Sequence, residues 1–235
     1  MNSQFSIFNS QFDKSQFIFP TSPKSEVLIM ALTMVHLLVA DLWARRHPEY
    51  LDSPEYYLGA VSPDAMHIRF HDDKSRKDEF HLYNWQRLHR EPVVAYWRER
   101  HAPFDVGFGV HVLTDCQWVP RYRDTFPGLF LPSGKLNIPQ YYNDTFVTDF
   151  ALYHGIPRLQ RVLEMLEIAQ APEDHPLLTA TEFDEWRRMI LEMYRGECPR
   201  HDPVRFITTQ YVHDFAADSL ALIEDIHQES TQTGG

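Results

Sequence analysis

His111 and Asp115 stand four residues apart in the apolar run FGVHVLTDCQW, a spacing that places an imidazole and a carboxylate on one face of a helix. Alone, the pair reads equally well as a salt-bridged core histidine or as half of a metal site. Three further segments carry the same residue types: His36 in MVHLLVA, Asp64 in YLGAVSPDA, and His81 where KDEF runs into HLYNW. A carboxylate or imidazolium buried without a partner is expensive, so such groups are normally paired or gathered round a cation. Neutral imidazoles and carboxylates suit zinc, and one carboxylate can bridge two ions. Two cations about 3.5–4 Å apart can clamp both the attacking and the leaving oxygen of a phosphate ester.

The elements that must position these residues read as helices with short breaks. SEVLIMALTMVHLLVADLWARRH is a strongly apolar helix ending near His47-Pro48, and it carries His36. SPEYYLGAVSPDAMHIRF opens with Ser53 as N-cap and Pro54 at the first helical position, then breaks at Ser62-Pro63, just before Asp64. HDDKSRKDEF is polar and loop-like, and HLYNWQRLHREPVVAYWRERH forms one or two helices around Pro92. PFDVGFGVHVLTDCQWVPRYRDTF is a second buried helix, carrying His111 and Asp115 and expected to end before Pro120. The Pro- and Gly-rich PGLFLPSGKLNIPQYYND reads as a loop near the mouth of the site. Later periodic segments include one opened by Thr181 with Glu182 and Phe183 in cap style. Alternating β-branched runs are nearly absent, so the fold expected is all-α, a single domain over residues 26–235. Residues 1–25, with Ser-Gln-Phe three times and no helical or strand period, read as a disordered extension.

The bulk composition narrows the function. The chain has 235 residues, 22 Lys and Arg against 33 Asp and Glu, and a net charge of −11. That balance argues against general binding to nucleic acid or anionic membranes. It is compatible with a single phosphate ester bound through a cation, which supplies positive charge locally. Two cysteines, Cys116 and Cys198, are too few for a disulfide framework, whereas thirteen histidines favour a metal site. No apolar run reaches the ~18 residues of a membrane-spanning helix. The nearest, residues 27 to 40, is followed by no small-residue cleavage site, which points to the cytoplasm rather than export.

Taken in order, His36, Gly59-x-x-x-Pro63-Asp64, His81 and His111-x-x-x-Asp115 span residues 36 to 115, about a third of the chain. This ordered set resembles the zinc-dependent phospholipase C family, relatives of the single-strand-specific zinc nucleases. The resemblance implies an all-helical fold and a zinc cluster. Asp64, His81 and His111 would hold one ion, and Asp115 would bridge to a second that His36 also binds. It further implies a zinc-bridged hydroxide attacking phosphorus, Asp64 as general base, and a small phosphate-ester or phospholipid substrate. Two Zn2+ ions are expected rather than three. The family's additional ligands include a later His-x-x-x-Glu pair, and neither His154 nor His175 is followed by Glu four residues on.

Other titratable residues compete for a place. His67 and His71 lie close to Asp64 in sequence, and His71 and His89 compete with His81 for one ligand position. Asp144 and Asp149 are candidates for approach from the far side, while His213 and Asp214 read as a surface pair. A second enzymatic reading takes His71 and Asp72 as the doublet of a His-Asp metal phosphohydrolase, with His36 and Asp115. A third is a helical relative that binds metal without catalysis. Oligomeric state is not legible.

Overall fold

A computed structural model describes residues 33–71, 73, 75–85 and 87–232. The proposed N-terminal extension lies outside them. Eleven α-helices follow one another with no strand among the described residues, the only β pairing being an isolated bridge from Phe130 to Leu136. They are α1 Thr33–Ala44, α2 Pro48–Leu51, α3 Pro54–Gly59, α4 Met66–Phe70, α5 Lys77–Phe80, α6 Arg90–Glu99, α7 Pro103–Thr125, α8 Ile138–Gly155, α9 Pro157–Ile168, α10 Ala180–Arg195 and α11 Thr209–Gln232. The all-α expectation holds, with one hydrophobic core running through the described residues. No helix among them is long and apolar enough to cross a membrane.

Local chemistry sets the boundaries. Helices α2, α3, α7 and α9 each begin on Pro, whose fixed φ suits the first turn and whose missing N–H is not needed there. Ser53 caps α3 by accepting from the Tyr56 N–H at 3.3 Å. The cap of α10 is Thr179 rather than Thr181: its hydroxyl accepts from Glu182 N–H while the Glu182 carboxylate accepts from Thr179 N–H. The last seven residues of the Pro- and Gly-rich stretch are not loop but the first two turns of α8, capped by Asn137.

Helix α7 does not stop at Pro120; it runs on to Thr125. The proline ring removes one backbone bond, at a cost of about 3 kcal/mol. Burial of the following turn outweighs that. Tyr122 is 1% exposed and packs against Phe130 and Tyr141.

The centre of the fold is α7, against which α1, α3, α6 and α11 pack. Its closest partner is α3, and two glycines make that approach possible. A Cβ on Gly107 would lie 2.9 Å from the Ala60 nitrogen and still closer to the Tyr56 carbonyl oxygen. A Cβ on Gly59 would meet the Phe104 carbonyl and lie 2.9 Å from the Phe108 nitrogen. Backbone thus lies on backbone at the crossing, and the same crossing sets the turn after α3 against the middle of α7.

Beside this crossing, His175 is enclosed by Phe104, Phe108 and Phe183, with Nε2 3.0 Å from the Tyr96 hydroxyl. Burial lowers its pKa from 6.5 to about 4. The unfolded chain therefore binds a proton that the fold resists. Stability contributed by this group is complete above about pH 6.5 and is lost as pH falls towards 4, at up to about 1.4 kcal/mol per pH unit. Urea midpoints should fall between pH 7 and pH 5, and His175→Gln should flatten part of that slope. An unchanged slope in the variant would assign the acid sensitivity to other histidines.

Candidate metal centre

Four elements deliver the site. His36 comes from the first turn of α1, and Asp64 from a 3-10 turn, Pro63–Ala65, that follows α3. His81 is the residue that ends α5. His111 and Asp115 are one and two turns beyond Gly107 on α7, so the residue that lets α3 approach shares a face with the two that face its continuation. All five are no more than 4% exposed. A sixth buried side chain, Lys77 on α5, enters the same space.

Asp64, His81, His111 and Asp115 each offer one donor atom to a common point, all within 4.8 Å of one another. His81 Nε2 is 3.3 Å from Asp64 Oδ1 and 3.3 Å from Asp115 Oδ2. His111 Nε2 lies 3.7 Å from Asp64 Oδ2 and 3.8 Å from Asp115 Oδ2. His36 stands further out, its Nε2 3.4 Å from the other Asp115 oxygen, Oδ1, and its ring stacked on His111 at 3.7 Å. Lys77 Nζ sits between the carboxylates, 3.3 Å from Asp64 Oδ1 and 3.5 Å from Asp115 Oδ2.

The far sides of two imidazoles are pinned. His81 Nδ1 lies 3.0 Å from the Lys77 carbonyl and His111 Nδ1 2.9 Å from the Ala60 carbonyl. A carbonyl only accepts, so each Nδ1 carries the proton, and in the neutral ring Nε2 presents its lone pair to the centre. Neither Nε2 has a hydrogen bond, nor has either oxygen of Asp115, nor either nitrogen of His36, although all are sealed from solvent. Buried polar atoms are otherwise nearly always satisfied. Of the atoms left over, those of His81, His111 and Asp115 converge with Asp64, and they are lone-pair donors of the type a divalent cation takes.

The electrostatics agree. Burial pushes the Asp64 carboxyl up, but Lys77, His111 and His81 outweigh it and hold it well below the usual carboxylate range. Asp115 is likewise held ionised against its burial by Lys77, His36 and His81. Burial, seconded by His36, lowers the His111 pKa from 6.5 to about 3, so that ring is neutral near neutral pH. The single ammonium between the carboxylates is at 3.3 and 3.5 Å, beyond the ~2.7–2.9 Å of a tight charge-assisted bond. Lys77 donates one long hydrogen bond to Asp64 Oδ1, and both oxygens of Asp115 are left without one. The residues present fit a divalent cation.

The other candidates fall elsewhere. Asp144 accepts from the N–H groups of Arg205, Phe206 and Ile207 and anchors the segment before α11. Asp149 accepts from Met34 N–H at the start of α1 and from the Tyr194 hydroxyl. His67 is half-buried beside the cluster, with Nδ1 2.7 Å from the His71 carbonyl; the His71 side chain itself is exposed. His213 and Asp214 are exposed, as expected of a surface pair. Trp118 and Tyr141 are core, joined by an indole-to-hydroxyl bond of 2.9 Å. A surface groove along α10, lined by Thr181, Asp184, Arg187, Arg188 and Leu191, contains none of the cluster residues.

No protein-family model, no curated protein and no solved structure matches this chain. The site must be read from its own chemistry.

Proposed function

We propose that this chain is a metal-dependent hydrolase of phosphate esters, with a centre that resembles that of the zinc-dependent phospholipase C family. One observation carries the reading. Two carboxylates and two imidazoles from three separate elements converge within 4.8 Å; both oxygens of Asp115 and the Nε2 atoms of His81 and His111 have no hydrogen-bond partner on the protein, and Asp64 accepts from Lys77 at 3.3 Å. Structural zinc sites are dominated by cysteine; here Cys116 on α7 makes its bond to Leu113 instead. A donor set of carboxylate and imidazole suits catalysis at a hard phosphate oxygen.

In this scheme Asp64, His81, His111 and Asp115 hold the ion, Zn2+ being the one their donor types favour. When bound, the ion supplies a Lewis acid and lowers the pKa of a water molecule. The carbonyls of Lys77 and Ala60 fix the imidazoles in the ligating tautomer. Asp64 is held ionised by Lys77, His111 and His81, which makes it a weak base; ligation suits it better than proton abstraction. Lys77 places a positive charge beside the position where a phosphate oxygen would gather negative charge.

Enclosure of every ligand by protein favours a second reading, a non-catalytic metal centre that ties the turn after α3, the end of α5 and α7 together. A third, the His-Asp doublet hydrolase, loses support because His71 is exposed. Turnover separates the first two. Purified protein with Zn2+ is expected to cleave a chromogenic phosphodiester or phosphomonoester and to lose that activity on chelation. Bound zinc with no turnover on either ester would establish the structural centre.

A further inference from the structure

Lys77 is the only Lys or Arg among the described residues that is buried, and it is completely so. Its position is specific. Nζ contacts Asp64 Oδ1 and Asp115 Oδ2, the same two oxygens that His81 Nε2 faces at 3.3 Å. The Trp85 ring covers the ammonium from the other side at 5.4 Å. A lysine in this place is not an outlying charge partner; it shares the carboxylate pair that a second ion would need.

We infer that the centre takes one divalent cation and that the Lys77 ammonium stands where a second would otherwise sit. This deepens the proposed function and rests on the metal reading. Two further observations support it. The group of donors that meet at one point contains Asp64, His81, His111 and Asp115 but not His36. A second ion on the His36 side would have His36 Nε2 and Asp115 Oδ1 but no third buried donor described there.

On this scheme His36 binds no metal. It holds the far oxygen of Asp115 and packs its ring on His111, so it is a positioning residue.

The test is the stoichiometry of Zn2+ on the metal-free full-length chain, by titration calorimetry and native mass spectrometry with excess zinc. One ion per chain is expected for the wild type. Lys77→Glu, which removes the ammonium and adds a carboxylate one bond nearer the backbone, is expected to take two. Two ions on the wild type, or one ion on a folded Lys77→Glu, would overturn the inference while leaving the metal centre intact. No uptake at all would overturn the metal reading itself. The wild-type count stands even where the variant does not fold.

Discussion

Asp115→Asn is expected to lose its metal and, with it, all turnover above background. Asp115 is the residue on which the cage closes: His36, Lys77, His81 and His111 all lie within 3.8 Å of its oxygens. The amide keeps the shape but removes the charge and halves the lone-pair donors. Even a partner outside the ligand shell typically costs 10–100-fold in metal affinity, so loss of a shared ligand should exceed about 100-fold. The variant should fold, because the same substitution relieves repulsion with Asp64 in the metal-free chain. Zinc content, helical circular dichroism and ester cleavage on one preparation check this. Full zinc with full turnover in a folded Asp115→Asn would remove Asp115 from the centre and with it the proposed function.

Gly107→Ala is expected, with Gly59→Ala, to be among the most destabilising single-methyl changes at the described residues. The new Cβ would meet the Tyr56 carbonyl and the Ala60 nitrogen, both backbone, so no side chain can swing aside. Helices α3 and α7 must then separate. Overpacking of a core costs about 1–3 kcal/mol and occasionally more; this position belongs at or above the upper end. That corresponds to a fall of roughly 6–12 °C in melting temperature for a chain of this size. The site should suffer beyond stability, because the Ala60 carbonyl that holds His111 Nδ1 rides on the displaced segment. Gly155→Ala is the control: nothing lies within 4 Å of its added Cβ, and no loss of stability is expected. Equal melting temperatures for the two variants would disprove the close crossing.

The fold class and most helix positions were legible because their causes are local. Helical spacing, Ser53-Pro54 at the head of α3, and Pro103 at the head of α7 all act within a turn or two of chain. Where they failed, tertiary burial was responsible. Pro120 carries a real stop signal, yet Tyr122 two residues on is buried against Phe130 and Tyr141, and α7 continues. At α10 the reason is local instead: Thr179, unlike Thr181, has Glu three residues on, and the reciprocal bond to Glu182 makes it the cap.

The candidate site divides in the same way. By themselves, the residue types and order determined that His36, Asp64, His81, His111 and Asp115 were the groups to watch. A polar, titratable side chain inside an apolar helix needs a partner wherever the helix packs. That a single donor point excludes His36, and that Asp144 and Asp149 serve as anchors for α11 and α1, was decided by the tertiary structure alone. So was Lys77. In KSRKDEFH it is one cation in a charged run, indistinguishable from a solvated surface lysine. Only the tertiary placement of α5 brings that side chain between two carboxylates that lie 51 residues apart in the chain. Such a position depends on distances through space, and residue spacing carries no record of them.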